Sequence, residues 1–102
     1  MSEKVGVVIR FKAQPGRAGE LSRHLLASAP AGADESGTLV WTVHSSAAEP
    51  DEVWVYEVYA DRAAQEAHEA TPAYSAAREK TGDFLAGPPE VFPLLPLGGK
   101  GL

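Results

Sequence analysis

The stretch "VWVYEVYA", Val53 to Ala60, constrains the fold of this chain more than any other. Successive side chains of a strand point to opposite faces, so a sheet with one wet face should alternate apolar and polar residues. Here one row carries Val53, Val55, Glu57 and Tyr59, and the other carries Trp54, Tyr56 and Val58. Both rows are apolar apart from one carboxylate. "VGVVIRF", Val5 to Phe11, behaves alike, with Val5, Val7, Ile9 and Phe11 set against Val8. Strands of this kind need cover on both faces.

The order of the remaining segments says what one cover is. "PGRAGELSRHLLASA" brings Ala18, Leu21, Leu25 and Ser28 near one face at helical spacing, between Pro15 and Pro30. "PAGADESG" is turn chemistry. Thr38 to Ser45 reads as a second strand, with Leu39, Trp41 and Val43 on one face, and a short polar loop joins it to the third as an antiparallel hairpin. Asp61 suits a helix N-cap. That helix should end near Ala70, because Thr71 precedes a proline and the residue before proline avoids helical backbone. Thr71 and Pro72 then start a second helical segment, "TPAYSAAREKTGDFLAG", closed by Gly87 and the Pro88–Pro89 pair. "EVFPLL" is a proline-interrupted strand suited to a sheet edge, and about 96–102 reads as a flexible tail.

The resulting order is β-α-β-β-α-β, the split pattern of a ferredoxin-like α+β fold. It predicts a single domain over residues 1–102, with an antiparallel four-stranded sheet and its helices on one face. The other face would leave Trp54, Tyr56 and Val58 uncovered, and an apolar patch of that kind marks an interface. A homodimer with two sheets packed face to face is the expected solution.

Composition removes several classes of function. Nine basic against fourteen acidic residues argue against a nucleic-acid partner, which needs clustered Lys and Arg. The absence of cysteine excludes disulfides, thiolate nucleophiles and Cys-based metal sites. No run approaches the roughly 20 apolar residues of a membrane span, and "MSEKVGVVIR" lacks the core of a signal peptide. A soluble, cytoplasmic protein is expected. His24, His44 and His68 lie on three different elements with no close ligand pair, so no metal site is expected. No dinucleotide or phosphate-loop motif appears, and no cofactor is expected.

Three side chains can carry chemistry. His68 sits in the last turn of an alanine-rich helix, as either a capping histidine or a proton-transfer group. Glu57 shares its strand face with three apolar residues, and a buried carboxylate needs a partner. The helix after the third strand folds back over the sheet and can bring His68 to it, as a structural tether or as an oriented base. Arg78 lies at the edge of the stripe Tyr74, Ala77, Thr81 and Leu85, where it either snorkels or supplies a fixed cation for an anion in the cleft. Trp41, Tyr59 and Tyr74 can fill a core or hold a flat aromatic ligand.

The block "EPDEVWVYEVYADRAAQEAHEATPAYSAAR" resembles the signature of the antibiotic biosynthesis monooxygenase domain family, more weakly extended by the "PG" after the first strand and by "SGTLVWTVH". The resemblance implies a dimeric α+β barrel with a pocket between the helices and the sheet of each protomer. It also implies cofactor-independent oxygenation of polyketide anthrones or quinols, or haem degradation. Glu57 and His68 match the glutamate and histidine of the family pattern, while Tyr59 stands where many members have tryptophan. The chain has no asparagine, so the pocket asparagine of both activities is absent, and Arg78 falls about where the haem degraders place their iron-ligating histidine. These departures point away from haem.

The leading expectation is a monooxygenase acting on a quinol, phenolic or polyketide-like substrate with O2, without metal or flavin. His68 would act as base, oriented by Glu57, with Arg78 on the anion and Trp41, Tyr59 and Tyr74 around the ring. Two other classes remain open: a non-catalytic dimeric ligand-binding protein, and an isomerase or cyclase that uses the same cleft.

Overall fold

A computed structural model describes residues 3–31 and 35–102. Its order is β1 (Val5–Lys12), α1 (Ala18–Ala27), β2 (Thr38–Ser45), β3 (Glu52–Tyr59), α2 (Arg62–Glu69), α3 (Pro72–Thr81) and β4 (Glu90–Leu94). The four strands form one sheet in the order β2-β3-β1-β4, and every neighbouring pair is antiparallel. This is the ferredoxin-like α+β arrangement, with the proline-bearing β4 at one edge. Residues 32–34, inside the predicted turn, lie outside the described residues.

Register assigns the side chains to faces. Val7, Glu57 and Trp41 stand in one row across the sheet, and Ile9, Val55 and Val43 in the next. Phe11 and Val53 follow in a third. This is the inner face, and α1 and the 3-10 turn Gly82–Phe84 close over its far end with Leu21, Leu25 and Phe84. Each fully buried aliphatic or aromatic side chain contributes about 1.5–3 kcal/mol by leaving water. One face assignment from the sequence fails. Leu39 is the extra residue of a bulge between Thr38 and Val40, so it is half-exposed instead of sharing the inner face with Trp41 and Val43.

The helix boundaries follow local chemistry. The Asp61 carboxylate accepts the Ala64 N–H at 2.8 Å, and Thr71 Oγ1 accepts the Tyr74 N–H at 3.1 Å with Pro72 just inside α3. The Thr71 hydroxyl also donates to the His68 carbonyl at 2.9 Å, so the cap of α3 is anchored to the end of α2. The second helical segment is shorter than its sequence suggests. It leaves α geometry at Thr81, tightens into the 3-10 turn, and then lets Leu85 bridge to Ala13 beside β1. Gly37 has a packing reason. A Cβ there would overlap the Ala64 Cβ, so its missing side chain lets α2 sit down on the approach to β2.

The outer face is partly closed by the chain itself. Val58, expected at an interface, is completely buried. Its β1 neighbour Gly6 has no side chain, and Leu94 and Pro96 pack into the space left there. Trp54 and Tyr56 remain half-buried, with the Arg10 guanidinium 5.7 Å from the Trp54 ring centroid and paired with Glu90. Phe92 and Leu94 extend the exposed apolar surface along β4. Beyond Leu94 no regular element forms, and Leu97 is fully exposed. Among the described residues no helix is long and apolar enough to cross a membrane.

Candidate active site

Between the inner sheet face and the three helices lies a cavity of ≈ 720 Å³. Its sheet wall runs from Glu57 through Val55 to Phe11, and Leu25 and Leu85 complete the apolar end. Glu57, His68, Glu69 and Tyr74 gather at the other end, where α2 and α3 meet over the Glu57 row, and Ser28 and Thr81 also line the cavity. Pro72, Arg78 and Pro89 are lining residues that also face solvent, which places the mouth along α3 and the approach to β4.

Of the six residues singled out from the sequence, five line this cavity: Trp41, Glu57, His68, Tyr74 and Arg78. Tyr59 does not. It is fully buried behind Glu57, to which its hydroxyl donates, and its ring centroid is 5.6 Å from that of His68. Tyr74 meets the other side of the imidazole edge-on, with centroids 5.1 Å apart. Arg78 is exposed and makes no hydrogen bond or ion pair among the described residues.

The expected Glu57–His68 hydrogen bond is not formed. Glu57 is engaged by Tyr59, its neighbour on the same strand face, and His68 pairs instead with Glu35. His68 Nδ1 lies 2.9 and 3.1 Å from the two Glu35 carboxylate oxygens, and the Thr38 hydroxyl donates to Glu35 at 2.9 Å. The His68 and Glu35 side chains are each only 10% exposed, so the pair is largely dry and its hydrogen bond is strong. Glu35 escaped the sequence reading because it stands in a turn-like stretch of Ala, Gly, Asp, Glu and Ser. Only its place two residues before Gly37, at the close approach of α2, hints at a role.

Burial pushes the Glu57 carboxyl above the usual carboxylate range, although the Tyr59 hydrogen bond and the nearby His68 hold it back. Burial, reinforced by Glu57, drives the Tyr59 phenol far above its ordinary value, so it stays a hydrogen-bond donor. Burial also raises Tyr74, with Glu69 adding to the effect and Arg78 opposing it, which sets the Arg78 charge near the Tyr74 phenol. The cavity end thus combines a carboxyl group biased toward its neutral form, an imidazole with one nitrogen held, and a cation at the mouth. Among the described residues no group of three or more His, Asp or Glu side chains is arranged to hold a metal.

The molecule is thus a ferredoxin-like sheet with a largely apolar cavity under its helices, and His68, Glu35 and Glu57 come together at one end of that cavity. Residues 4–80 match the family described as antibiotic biosynthesis monooxygenase, and the chain belongs to that family. A candidate antibiotic biosynthesis monooxygenase from Caulobacter crescentus CB15 is 32% identical with a TM-score of 0.86, over 95% of this chain and 92% of its own. Rv0793 from Mycobacterium tuberculosis is 28% identical with a TM-score of 0.81, over 95% and 98%. A candidate family member from Nitrosomonas europaea, 18% identical over 95% and 93%, shares the fold with a TM-score of 0.85. Among curated proteins no significant match is found.

Proposed function

We propose that this protein is a monooxygenase that oxidises an electron-rich aromatic substrate, a quinol, phenol or polyketide-like ring, with O2 and without flavin or metal. One observation carries the reading: His68, almost buried, lines a largely apolar cavity at the end where the Glu35 and Glu57 carboxyl groups lie beside it. His68 takes the acidic proton of the substrate, and the resulting anion is electron-rich enough to reduce O2 directly. The substrate gives four electrons. One oxygen atom stays on it and the other leaves as water, as in CH2 + O2 → C=O + H2O.

Arg78 stabilises the anion from the mouth, Trp41 and Tyr74 hold the ring, and the apolar walls keep competing water out. Tyr59 acts on the site from behind the lining, through its hydrogen bond to Glu57 and its ring beside His68. Oxygen-electrode assays over a panel of quinols and anthrones test the proposal. His68→Ala should lower the turnover of an accepted substrate by about 10²–10⁴-fold, the range of a lost general base. An unchanged rate removes His68 from the reaction.

A second reading is favoured by Glu57. A carboxyl group biased toward its neutral form beside an imidazole suits enolisation, with proton abstraction next to a carbonyl that Glu57 polarises. Product formation under strict anaerobiosis would mark this isomerase or cyclase activity. In either reading the protein works as a homodimer through the outer sheet face. The half-buried Trp54 and Tyr56, continued by the exposed Phe92 and Leu94, support that assembly.

A further inference from the structure

We propose that Glu35 is the positioning residue of the site, holding the Nδ1–H of His68 so that Nε2 is the unprotonated, proton-accepting nitrogen. The inference rests on the reading of His68 as a proton acceptor and adds what sets its tautomer.

The two ring nitrogens of a histidine are inequivalent, and the hydrogen bond made by one fixes which of them carries the proton. Here Nδ1 faces both oxygens of Glu35 at 2.9 and 3.1 Å. An ionised carboxylate only accepts, so a neutral imidazole in this pair must carry its proton on Nδ1. Nε2 has no hydrogen-bond partner among the described residues, and it is not a sealed, unsatisfied atom either. It is the nitrogen left open for a ligand.

Glu57, the other carboxyl group at this end, is unsuited to the task. Its Oε1 is taken by Tyr59, and its burial favours the neutral acid, which would compete as a donor. Among the described residues the rings of Tyr59 and Tyr74 flank the imidazole, Glu69 and Arg78 line the cavity at exposed positions, and none of these four hydrogen-bonds it. Glu35 is itself fixed. The Thr38 hydroxyl, at the first residue of β2, donates to Oε2 at 2.9 Å and holds the carboxylate in place.

The chain Thr38–Glu35–His68 therefore does what a carboxylate does for the histidine of a hydrolytic triad. It selects the tautomer and stabilises the imidazolium once Nε2 has taken the substrate proton. No covalent or redox step is assigned to Glu35.

The test reads the tautomer directly, by ¹⁵N NMR of the labelled protein at a pH where His68 is neutral. The wild-type protein should show His68 protonated at Nδ1, against the Nε2–H preference of free imidazole side chains. Glu35→Ala should return it to mainly Nε2–H and lower kcat on the order of 10²-fold, with KM for the quinol within about twofold. Glu35→Gln, whose amide oxygen still accepts, should keep the Nδ1–H form and restore part of kcat. Nε2–H in the wild-type protein, or a tautomer indifferent to Glu35→Ala, overturns the proposal, and the wild-type spectrum decides even if the alanine variant does not fold. If the tautomer behaves as expected while His68→Ala leaves turnover intact, the oxygenase mechanism through His68 fails and the positioning role of Glu35 stands.

Discussion

The two faces of β3 offer a comparison within eight residues of chain. Its inner row, Val53, Val55, Glu57 and Tyr59, is 0–8% exposed, and its two polar side chains hydrogen-bond each other within one protomer. Its outer row is split: Val58 is fully buried, with Leu94 and Pro96 packed over its neighbour Gly6, while Trp54 and Tyr56 stay half-buried. The same alternating, nearly all-apolar sequence therefore does two jobs. One side is a buried wall that lines the cavity, and the other keeps an apolar surface in partial contact with solvent. Near-equal hydrophobicity does not tell the cavity face from the other, whereas the single carboxylate does.

The largest effect should come from breaking the inner wall. Tyr59→Ala removes a fully buried ring and the Glu57 donor, and should cost about 3–5 kcal/mol in denaturant unfolding. Tyr59→Phe keeps the ring but leaves the buried Glu57 carboxyl without its donor, for about 1–3 kcal/mol. The difference between these two variants separates packing from hydrogen bonding on that wall.

Glu57→Gln tests the charge on the same face. The folded-state value of Glu57 lies above the unfolded one, so between the two the native state binds more protons and stability falls as pH rises. The cost is absent below the ordinary carboxylate range and complete above the raised value. Unfolding curves across that window should show the decline in wild-type protein and a smaller one in Glu57→Gln. An equal slope in both proteins would mean that Glu57 is not held toward its neutral form.

The smallest effect on the protomer should come from the outer face. Tyr56→Glu should change intrinsic stability by no more than about 0.5 kcal/mol, as for an ordinary surface site, yet shift sedimentation toward the monomer. A loss of stability as large as that of Tyr59→Phe would mean that both faces are internal walls.

Much of the frame was legible in local chemistry. Asp61, Thr71 and Pro72 announce the helix starts by chemistry confined to three or four residues, and Pro93 places β4 at an edge. Long-range pairings were not legible. Glu35 and His68 are 33 positions apart, and nothing near either one names the other. Glu57 carried a real signal, a carboxylate among apolar neighbours, but the signal says only that a partner exists. Tyr59, two residues away on the same face, supplied it first. The bulge at Leu39 and the tightening after Thr81 also depend on tertiary fit, so the periodicity of the sequence runs past both.

The missing side chain at Gly37 works as a spacer set to zero. Gly37 lies between Glu35 and Thr38 in the chain, and α2, which carries His68, rests against it through Ala64. The width of the His68 end of the cavity is thus set by the Gly37–Ala64 contact, away from the cavity lining. Substitutions at Val55, Leu25 or Leu85 can reshape the room for a substrate while the histidine and its carboxylate keep their distance. One methyl group at position 37 would wedge that end apart without altering any residue that lines the cavity.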